Sequence, residues 1–222
     1  MSITALDKDK IKQKYRAERD KRIRPEGNAQ YKRLAEFEDL SDDPHMPVIE
    51  RAPVTDHVKF AFIGGGFAGL VVGARLKRAG IDDVRIVEKG GDVGGTWWYN
   101  RYPGARVDGP GSPFYCYTFS EELMKEWDWA ETQSEQSAVL EYLEHVADRF
   151  DLRRDVQFDT RVNAATFDDE AGRWAIETDS GSVTSQYCVM ATGCLSSTNT
   201  PDFEEQGDFS GATFHTGNWP HE

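Results

Sequence analysis

The feature that most restricts the fold of this chain is a spaced set of three glycines just after its first quarter. The pattern Gly64-x-Gly66-x-x-Gly69 directly follows a β-type run at residues 59–63. A helix-forming segment comes next, and a second β-type run occupies residues 84–88. Strand, glycine turn, helix and strand in this order form a βαβ unit. The sequence therefore predicts an α/β fold with a Rossmann-like parallel sheet.

Each glycine of this pattern has a physical task in binding a dinucleotide. Gly64 permits the tight turn, Gly66 lets the backbone approach a pyrophosphate, and Gly69 allows the helix to pack closely on the sheet. The N–H groups at the helix N-terminus attract the phosphates. Glu88 ends the second strand, where a carboxylate accepts hydrogen bonds from ribose hydroxyls. The predicted contacts are Gly64, Gly66, Phe67, Ala68, Gly69, Glu88 and Lys89.

A second glycine turn follows the acidic residue and carries aromatic side chains. In Gly94-Gly95-Thr96-Trp97-Trp98 the glycines let the backbone pass close to a ligand. Thr96 can donate a hydrogen bond to a phosphate or flavin oxygen, and the two indoles can form one wall of a flavin site. The alternative is a hydrophobic plug, although exposed adjacent tryptophans are costly. We therefore predict that Gly95, Thr96, Trp97 and Trp98 bind the cofactor.

Two further short motifs contain candidate contacts with the cofactor. Arg106 and Asp108 come straight after the aromatic turn and are candidates for the reactive edge of the flavin; a surface salt bridge is the alternative. Small residues at the carboxyl end of a strand let the chain pass close to a bound cofactor, which makes Ala191, Thr192 and Gly193 candidate contacts.

Composition excludes several classes of function. The net charge of -13 argues against nucleic acid as a partner, because phosphate binding needs a basic surface. Three cysteines without C-x-x-C spacing indicate reduced thiols, and no apolar run is long enough to span a membrane. The histidines lack metal-ligand spacing, so no metal site is predicted. We expect a soluble cytoplasmic protein with no nucleic-acid or membrane partner.

The chain divides into three parts on composition. Residues 1–57 form a charged extension, with a surface helix over 7–23 and then an acidic, proline-containing linker; a solvated extension or a partner-binding arm are the alternatives. Residues 58–200 form the predicted dinucleotide-binding domain. It contains a helix over 137–150 and a small antiparallel meander built from β-type segments 156–167, 173–178 and 183–190. Residues 201–222 form a linker.

That linker carries the string Phe209-x-Gly211-x-x-x-His215-x-x-x-Trp219. Together with the two glycine turns, it makes the chain resemble the Baeyer–Villiger monooxygenases from residue 58 to residue 222. The resemblance implies FAD, NADPH and O2 as cofactors and co-substrate. It implies conversion of a ketone, cyclic or bulky, to an ester or lactone through a flavin C4a-peroxide.

The resemblance also implies roles for individual residues. Asp108 would lie beside the flavin and position an active-site arginine, and is the catalytic candidate. Tyr115 would contact FAD and the backbone of Val162 would pair with adenine. Arg106 would lie near the nicotinamide, and His215 would couple NADPH binding to domain movement. The stretch after Asp108 departs from the usual acidic, serine-containing pattern, which affects the assignment of Tyr115.

No second G-x-G-x-x-G follows the linker string in these 222 residues. We expect that the NADPH domain and the catalytic arginine belong to other sequence, so that the chain is a fragment or one part of a split enzyme and is inactive alone. Two other functions remain open, namely an N- or S-oxidising flavin monooxygenase and a stand-alone FAD-binding module.

Overall fold

The computed structural model describes residues 7–27, 43–47, 49–109, 111–196, 198 and 204–220. Its helices are α1 (Lys8–Asp20), α2 (Phe67–Arg78), α3 (Thr96–Tyr99), α4 (Glu121–Glu126) and α5 (Gln136–Arg149). Its strands are β1 (Val54–Ile63), β2 (Val84–Val87), β3 (Val156–Gln157), β4 (Val162–Asp168), β5 (Arg173–Thr178) and β6 (Gly181–Met190).

The chain separates into two compact units, Met1–Asp39 and Leu40–Glu222. Helix α1 belongs to the first unit and confirms the predicted surface helix. The Asp7 side chain caps it, since Oδ1 accepts hydrogen bonds from the backbone N–H groups of Asp9 and Lys10, both at 3.1 Å. No residue of α1 is buried.

The second unit is built on a mixed sheet with the strand order β3-β2-β1-β6-β5-β4. The first four of these strands are parallel, whereas β6, β5 and β4 form an antiparallel meander. This arrangement confirms the predicted Rossmann-like fold. Ile63 pairs with Val87 on one side and with Met190 on the other, so β1, β2 and β6 end at the same edge. Ligands of open α/β sheets bind at that edge.

The predicted β-type segment 156–167 is not one strand. Its first residues form β3, which pairs with β2 at one border of the sheet, and its remainder forms β4 at the opposite border. Asp159 lies between them with φ +50°, a left-handed conformation that interrupts an extended strand. Periodicity alone does not reveal this break. Strand β1 also begins earlier than its apolar run, because residues 54–58 pair with β6.

The hydrophobic core lies between the sheet and helices α2 and α5. Phe62 and Ile86 on the sheet, Leu70 on α2 and Leu143 on α5 are fully buried in it. Helix α5 confirms its prediction, with apolar residues at 3 and 4 spacing turned inward. A second, smaller cluster consists of strand residues, with Ala61 on β1 and Ile176 on β5 fully buried in it.

Candidate dinucleotide site

The first glycine turn leaves β1 in a conformation that needs glycine. Gly64 has φ +112°, and its N–H donates to the carbonyl oxygen of Val87 at 2.9 Å. A Cβ on Gly64 would lie 2.5 Å from the carbonyl oxygen of Ala191. Gly69, in the first turn of α2, lies against the carbonyl of Gly64. The structure thus brings the turn after β1 together with the predicted Ala191 segment after β6.

Glu88 is held by two backbone amides at the end of β2. Its Oε2 accepts a hydrogen bond from the N–H of Gly65 at 2.6 Å and its Oε1 accepts one from the N–H of Gly90 at 2.8 Å. The residue is 5% exposed. Burial raises the pKa of Glu88, and the two amides and the neighbouring Lys89 oppose that rise. The carboxylate is therefore fixed in place beside the glycine turn.

The second glycine turn packs directly on the first. The N–H of Gly94 donates to the carbonyl oxygen of Gly65 at 3.2 Å. A Cβ on Gly66 would lie 3.3 Å from the Cα of Gly95, which itself has φ +55°. Side chains at Gly66 and Gly95 would separate the two turns. Thr96 then begins α3 and is exposed.

Three aromatic rings meet beside these turns. Trp97 and Tyr115 are edge to face with ring centroids 5.6 Å apart, and Tyr115 and Phe67 are edge to face at 5.7 Å. The Nε2 of Gln136 donates to the Trp97 carbonyl, and the hydroxyl of Tyr117 donates to the Phe67 carbonyl oxygen at 2.7 Å. This aromatic cluster of Phe67, Trp97 and Tyr115 joins one residue of each glycine turn to a residue that only the resemblance implied.

Trp98 makes different contacts from its neighbour. Its indole is buried, and Nε1 donates to Oδ2 of Asp43 at 2.8 Å. The guanidinium of Arg101 lies over the ring, 4.4 Å from its centroid. The indole of Trp98 therefore contacts the N-terminal segment and Arg101, and none of the ring contacts described for it is with the aromatic cluster.

Arg106 and Asp108, like Trp97 and Trp98, contact different parts of the structure. Arg106 forms ion pairs through Nη1 with Oε2 of Glu131 at 2.9 Å and through Nη2 with Oε1 of Glu135 at 2.7 Å, all on the surface. These are the contacts of the salt-bridge alternative. Asp108 is exposed, yet it lies close enough to Tyr115 to act on it: burial raises the pKa of Tyr115, and the charge of Asp108 raises it further.

The remaining predicted residues lie at the edge of the site or away from it. The Lys89 ammonium is 4.6 Å from the ring centroid of Tyr99, and burial lowers its pKa. Val162 begins the border strand β4 and pairs with Thr178. After β6, the Thr192 carbonyl oxygen accepts a hydrogen bond from Oγ of Ser196 at 2.8 Å, and Gly193 has φ +69°.

The linker string forms a local turn. His215 pairs with Asn218, and its Nδ1 accepts a hydrogen bond from the N–H of Gly217 at 3.0 Å. Phe209 is 66% exposed and its ring packs over Gly211, while the rings of Trp219 and Phe214 pack at a tilt with centroids 5.2 Å apart. The string is thus presented on the surface of the described chain.

Sequence reasoning missed the residues that support the site from a distance. Asp43 contacts the second glycine turn, and Asp159 lies beside Gly90, to whose carbonyl oxygen it donates its N–H at 3.1 Å. Asp43 belongs to an acidic, proline-containing stretch that is typical of a linker. No signal in that stretch reports a contact 55 positions further along the chain.

The sequence is similar to those of known proteins over most of its length. The model of the pyridine nucleotide-disulphide oxidoreductase family matches residues 61–221. A Baeyer–Villiger monooxygenase from Streptomyces coelicolor is 39% identical over 212 residues, which is 94% of this chain and 34% of that protein. The chain belongs to the Baeyer–Villiger monooxygenase family.

Solved structures of this family share the fold. An oxidized steroid monooxygenase bound to NADP is 47% identical, with a TM-score of 0.66 over 74% of this chain and 32% of that one. A cyclohexanone monooxygenase from Rhodococcus sp. Phi1 bound to NADP+ is 38% identical, with a TM-score of 0.67 over 75% and 32%. The chain therefore spans about a third of the length of the Baeyer–Villiger monooxygenases that it matches. Among the described residues, no helix is long and apolar enough to cross a membrane.

Proposed function

We propose that this chain forms the FAD-binding part of an NADPH- and O2-dependent monooxygenase that converts a ketone to an ester or lactone. The observation that carries the proposal is the convergence of two glycine turns and a buried carboxylate at one sheet edge. Gly66 contacts Gly95 there, and Glu88 is bonded to Gly65 beside them. A dinucleotide needs this combination of close backbone approach and a ribose acceptor.

The residues present fit the nucleotide half of FAD. Helix α2 runs for 12 residues from its N-cap at Gly66, so its free N–H groups and dipole favour the pyrophosphate. Glu88 would accept hydrogen bonds from the ribose. Beside it, the buried atoms Gln157 Nε2, Asp159 Oδ1 and Arg161 Nε have no hydrogen-bond partner within the described part of the chain. These are groups that a bound nucleotide could satisfy.

The aromatic cluster fits the flavin half. Trp97 and Tyr115 would flank the ring system and keep water from it, and Thr96 would donate a hydrogen bond to the cofactor. Bound FAD would supply the redox chemistry, taking hydride from NADPH and activating O2. Asp108, which acts electrostatically on Tyr115, would face this end of the site and hold an arginine guanidinium in place.

Several roles extend the proposal beyond the contacts described. We propose that Val162 binds adenine, that Lys89, Ala191, Thr192 and Gly193 border the cofactor, and that Arg106 lies near the nicotinamide. The linker residues, of which Phe209 and Gly211 are exposed and His215 and Trp219 partly buried, would couple NADPH binding to domain movement. Similarity to a steroid and to a cyclohexanone monooxygenase supports a cyclic or bulky ketone. Cytoplasmic location remains a prediction based on the cysteines.

Two experiments test the function. The first titrates the purified chain with FAD and follows flavin fluorescence; saturable binding that Gly66→Ala abolishes is expected. In the second experiment, the complete protein product of the gene is incubated with FAD, NADPH, O2 and cyclic and steroidal ketones. Ester or lactone formation is expected. Oxidation of amines or sulfides without any lactone would replace this function with that of an N- or S-oxidising enzyme, and FAD binding with no oxidation would leave a binding module.

A further inference from the structure

Asp43 lies outside the predicted site but bonds to both sides of the second glycine turn. Its Oδ2 accepts hydrogen bonds from the N–H of Gly91 at 2.6 Å and from Nε1 of Trp98 at 2.8 Å. Its Oδ1 accepts a third from the N–H of His45 at 2.8 Å. One carboxylate therefore ties the residues before and after Gly94 and Gly95 to the N-terminal segment.

Neighbouring residues of that segment reinforce the attachment. The imidazole of His45 is edge to face with Trp98, with centroids 5.9 Å apart. Met46 lies against Gly91, where a Cβ would be 3.1 Å from its sulfur. Further along, Nε of Arg51 is 3.1 Å from Oδ2 of Asp159, a carboxylate only 3% exposed. Residues 43–47 and 49–51, here called the strap, thus hold to the domain at both ends.

Asp43 and Glu88 also accept hydrogen bonds from two consecutive backbone amides. The N–H of Gly90 donates to Glu88, and the N–H of Gly91 donates to Asp43. Charge-assisted hydrogen bonds of this kind are roughly twice as strong as neutral ones. The short loop that follows the ribose acceptor is therefore fixed from two sides, by the proposed cofactor-binding acid and by the strap.

The link to the aromatic cluster runs through α3. Trp97 and Trp98 are adjacent in its single turn, Trp98 is held by Asp43, and Trp97 contacts Tyr115. A helical turn of four residues has little stability of its own, so side-chain contacts must set its orientation. Fixing the indole of Trp98 fixes the direction in which Trp97 projects.

We propose that Asp43 is a positioning residue that preorders the second glycine turn and Trp97 for the flavin. The inference rests on the proposed FAD function. Without Asp43 the turn would populate other conformations, and apparent affinity falls by the fraction of molecules in the competent one. The residue acts through Gly91 and Trp98 and needs no contact with the cofactor.

The test compares Asp43→Ala, Asp43→Asn and Trp98→Phe with the matched control Glu50→Ala, which removes an exposed charge of the strap. Each full chain is titrated with FAD, and the visible circular dichroism of the bound flavin is recorded. Asp43→Ala is expected to weaken FAD binding about tenfold and change the flavin spectrum, with partial rescue in Asp43→Asn. Trp98→Phe removes the indole donor together with part of the buried ring and should reproduce part of the loss, whereas Glu50→Ala should match the unaltered protein.

The double variant Asp43→Ala/Trp98→Phe measures how far the effects of the two substitutions on FAD affinity depend on each other. Because both changes break the same bond, their combined effect should be smaller than the product of the separate effects. The proposal would be overturned if the two substitutions had independent effects on FAD affinity. It would also be overturned if Asp43→Ala and Trp98→Phe left both the affinity and the flavin spectrum unchanged. In either case FAD binding by the unaltered chain would still uphold the proposed function. If Asp43→Ala does not fold, Trp98→Phe decides, since it removes the indole donor and keeps an aromatic ring at the buried position. Absence of FAD binding in the unaltered chain would instead refute the proposed function.

Discussion

The α-carbon of Gly69 faces the carbonyl oxygen of Gly64 so closely that a Cβ on Gly69 would overlap it. That contact is where α2 meets the turn after β1, and neither backbone segment can withdraw without breaking the fold of the site. We expect Gly69→Ala to lower the free energy of unfolding by about 3 kcal/mol, at the upper end of overpacking effects. Thermal and urea unfolding of the purified chain would measure this loss.

Gly73 provides the matched control because it lies in the same helix. A Cβ there would meet Cδ1 of Ile86 at 3.4 Å and Cδ2 of Leu152 at 3.5 Å, which are ordinary contacts. Alanine also favours helix by up to about 1 kcal/mol over glycine. Gly73→Ala should therefore be neutral or stabilising. Equal losses in the two variants would show that helix α2 in general, and not its contact with Gly64, is sensitive to added volume.

The parts of this fold that sequence predicted are those encoded by local patterns. The glycine spacing around Gly66 predicted the turn and α2, and apolar periodicity predicted α5. In both cases the residues that carry the signal also make the contact, so their meaning does not depend on distant chain. The same holds for Glu88, whose position at the end of β2 places it beside the turn after β1.

The parts that sequence did not predict depend on contacts between distant segments. The partners of Trp98 and Arg106 are Asp43 and Glu135, respectively, and no local pattern connects either pair. The strand break at Asp159 depends on a left-handed residue that composition does not reveal. Adjacent residues of one motif therefore took different roles, with Trp97 in the aromatic cluster and Trp98 bound to the strap.

The pKa of Glu88 predicts how stability and FAD affinity change with pH. Burial raises this pKa above its ordinary value of 4.5, so the folded chain holds the proton more tightly than the unfolded chain. The contribution of Glu88 to stability is then fully present below pH 4.5 and is lost as pH rises through the folded pKa. We expect this pH-dependent part of the free energy of unfolding to be absent from the Glu88→Gln variant, and urea unfolding at several pH values would measure it.

FAD affinity should change in the opposite direction. In the proposed site the ribose hydroxyls would donate to the ionised carboxylate, so bound FAD would favour the deprotonated form of Glu88 and lower its pKa. Affinity is therefore expected to rise with pH through the pKa of the free site and then to level off. Fluorescence titrations at several pH values would follow it. A Glu88→Gln chain that retained the same pH profile would assign the effect to another group.

Tyr142 on α5 supports the segment that carries Tyr115 and Tyr117. Its side chain is fully buried, and its hydroxyl oxygen accepts a hydrogen bond from the N–H of Tyr117 at 2.8 Å. Removal of that oxygen leaves a buried donor without a partner. Tyr142→Phe is expected to lower the free energy of unfolding by about 1–2 kcal/mol. Tyr187→Phe, at a site 47% exposed, should leave it unchanged; equal values in urea unfolding would contradict the role of the bond.

Asp108 and Arg106 should have different effects on Tyr115. The charge of Asp108 helps to raise the pKa of Tyr115, whereas Arg106 is paired with Glu131 and Glu135. Asp108→Asn is therefore expected to lower the pKa of Tyr115, and Arg106→Gln is expected to leave it where it is. NMR titration of ring-labelled tyrosines would measure both, with Tyr115→Phe identifying the resonance.

The comparison of these two variants tests which of the two charged residues belongs to the site. If Asp108→Asn left the pKa of Tyr115 unchanged, the carboxylate would not face the aromatic cluster and its proposed place beside the flavin would lose its structural support. If Arg106→Gln raised that pKa, its guanidinium would already act on the cluster, because loss of a nearby positive charge disfavours deprotonation of a phenol. Arg106 would then lie nearer the proposed flavin site than its two ion pairs place it.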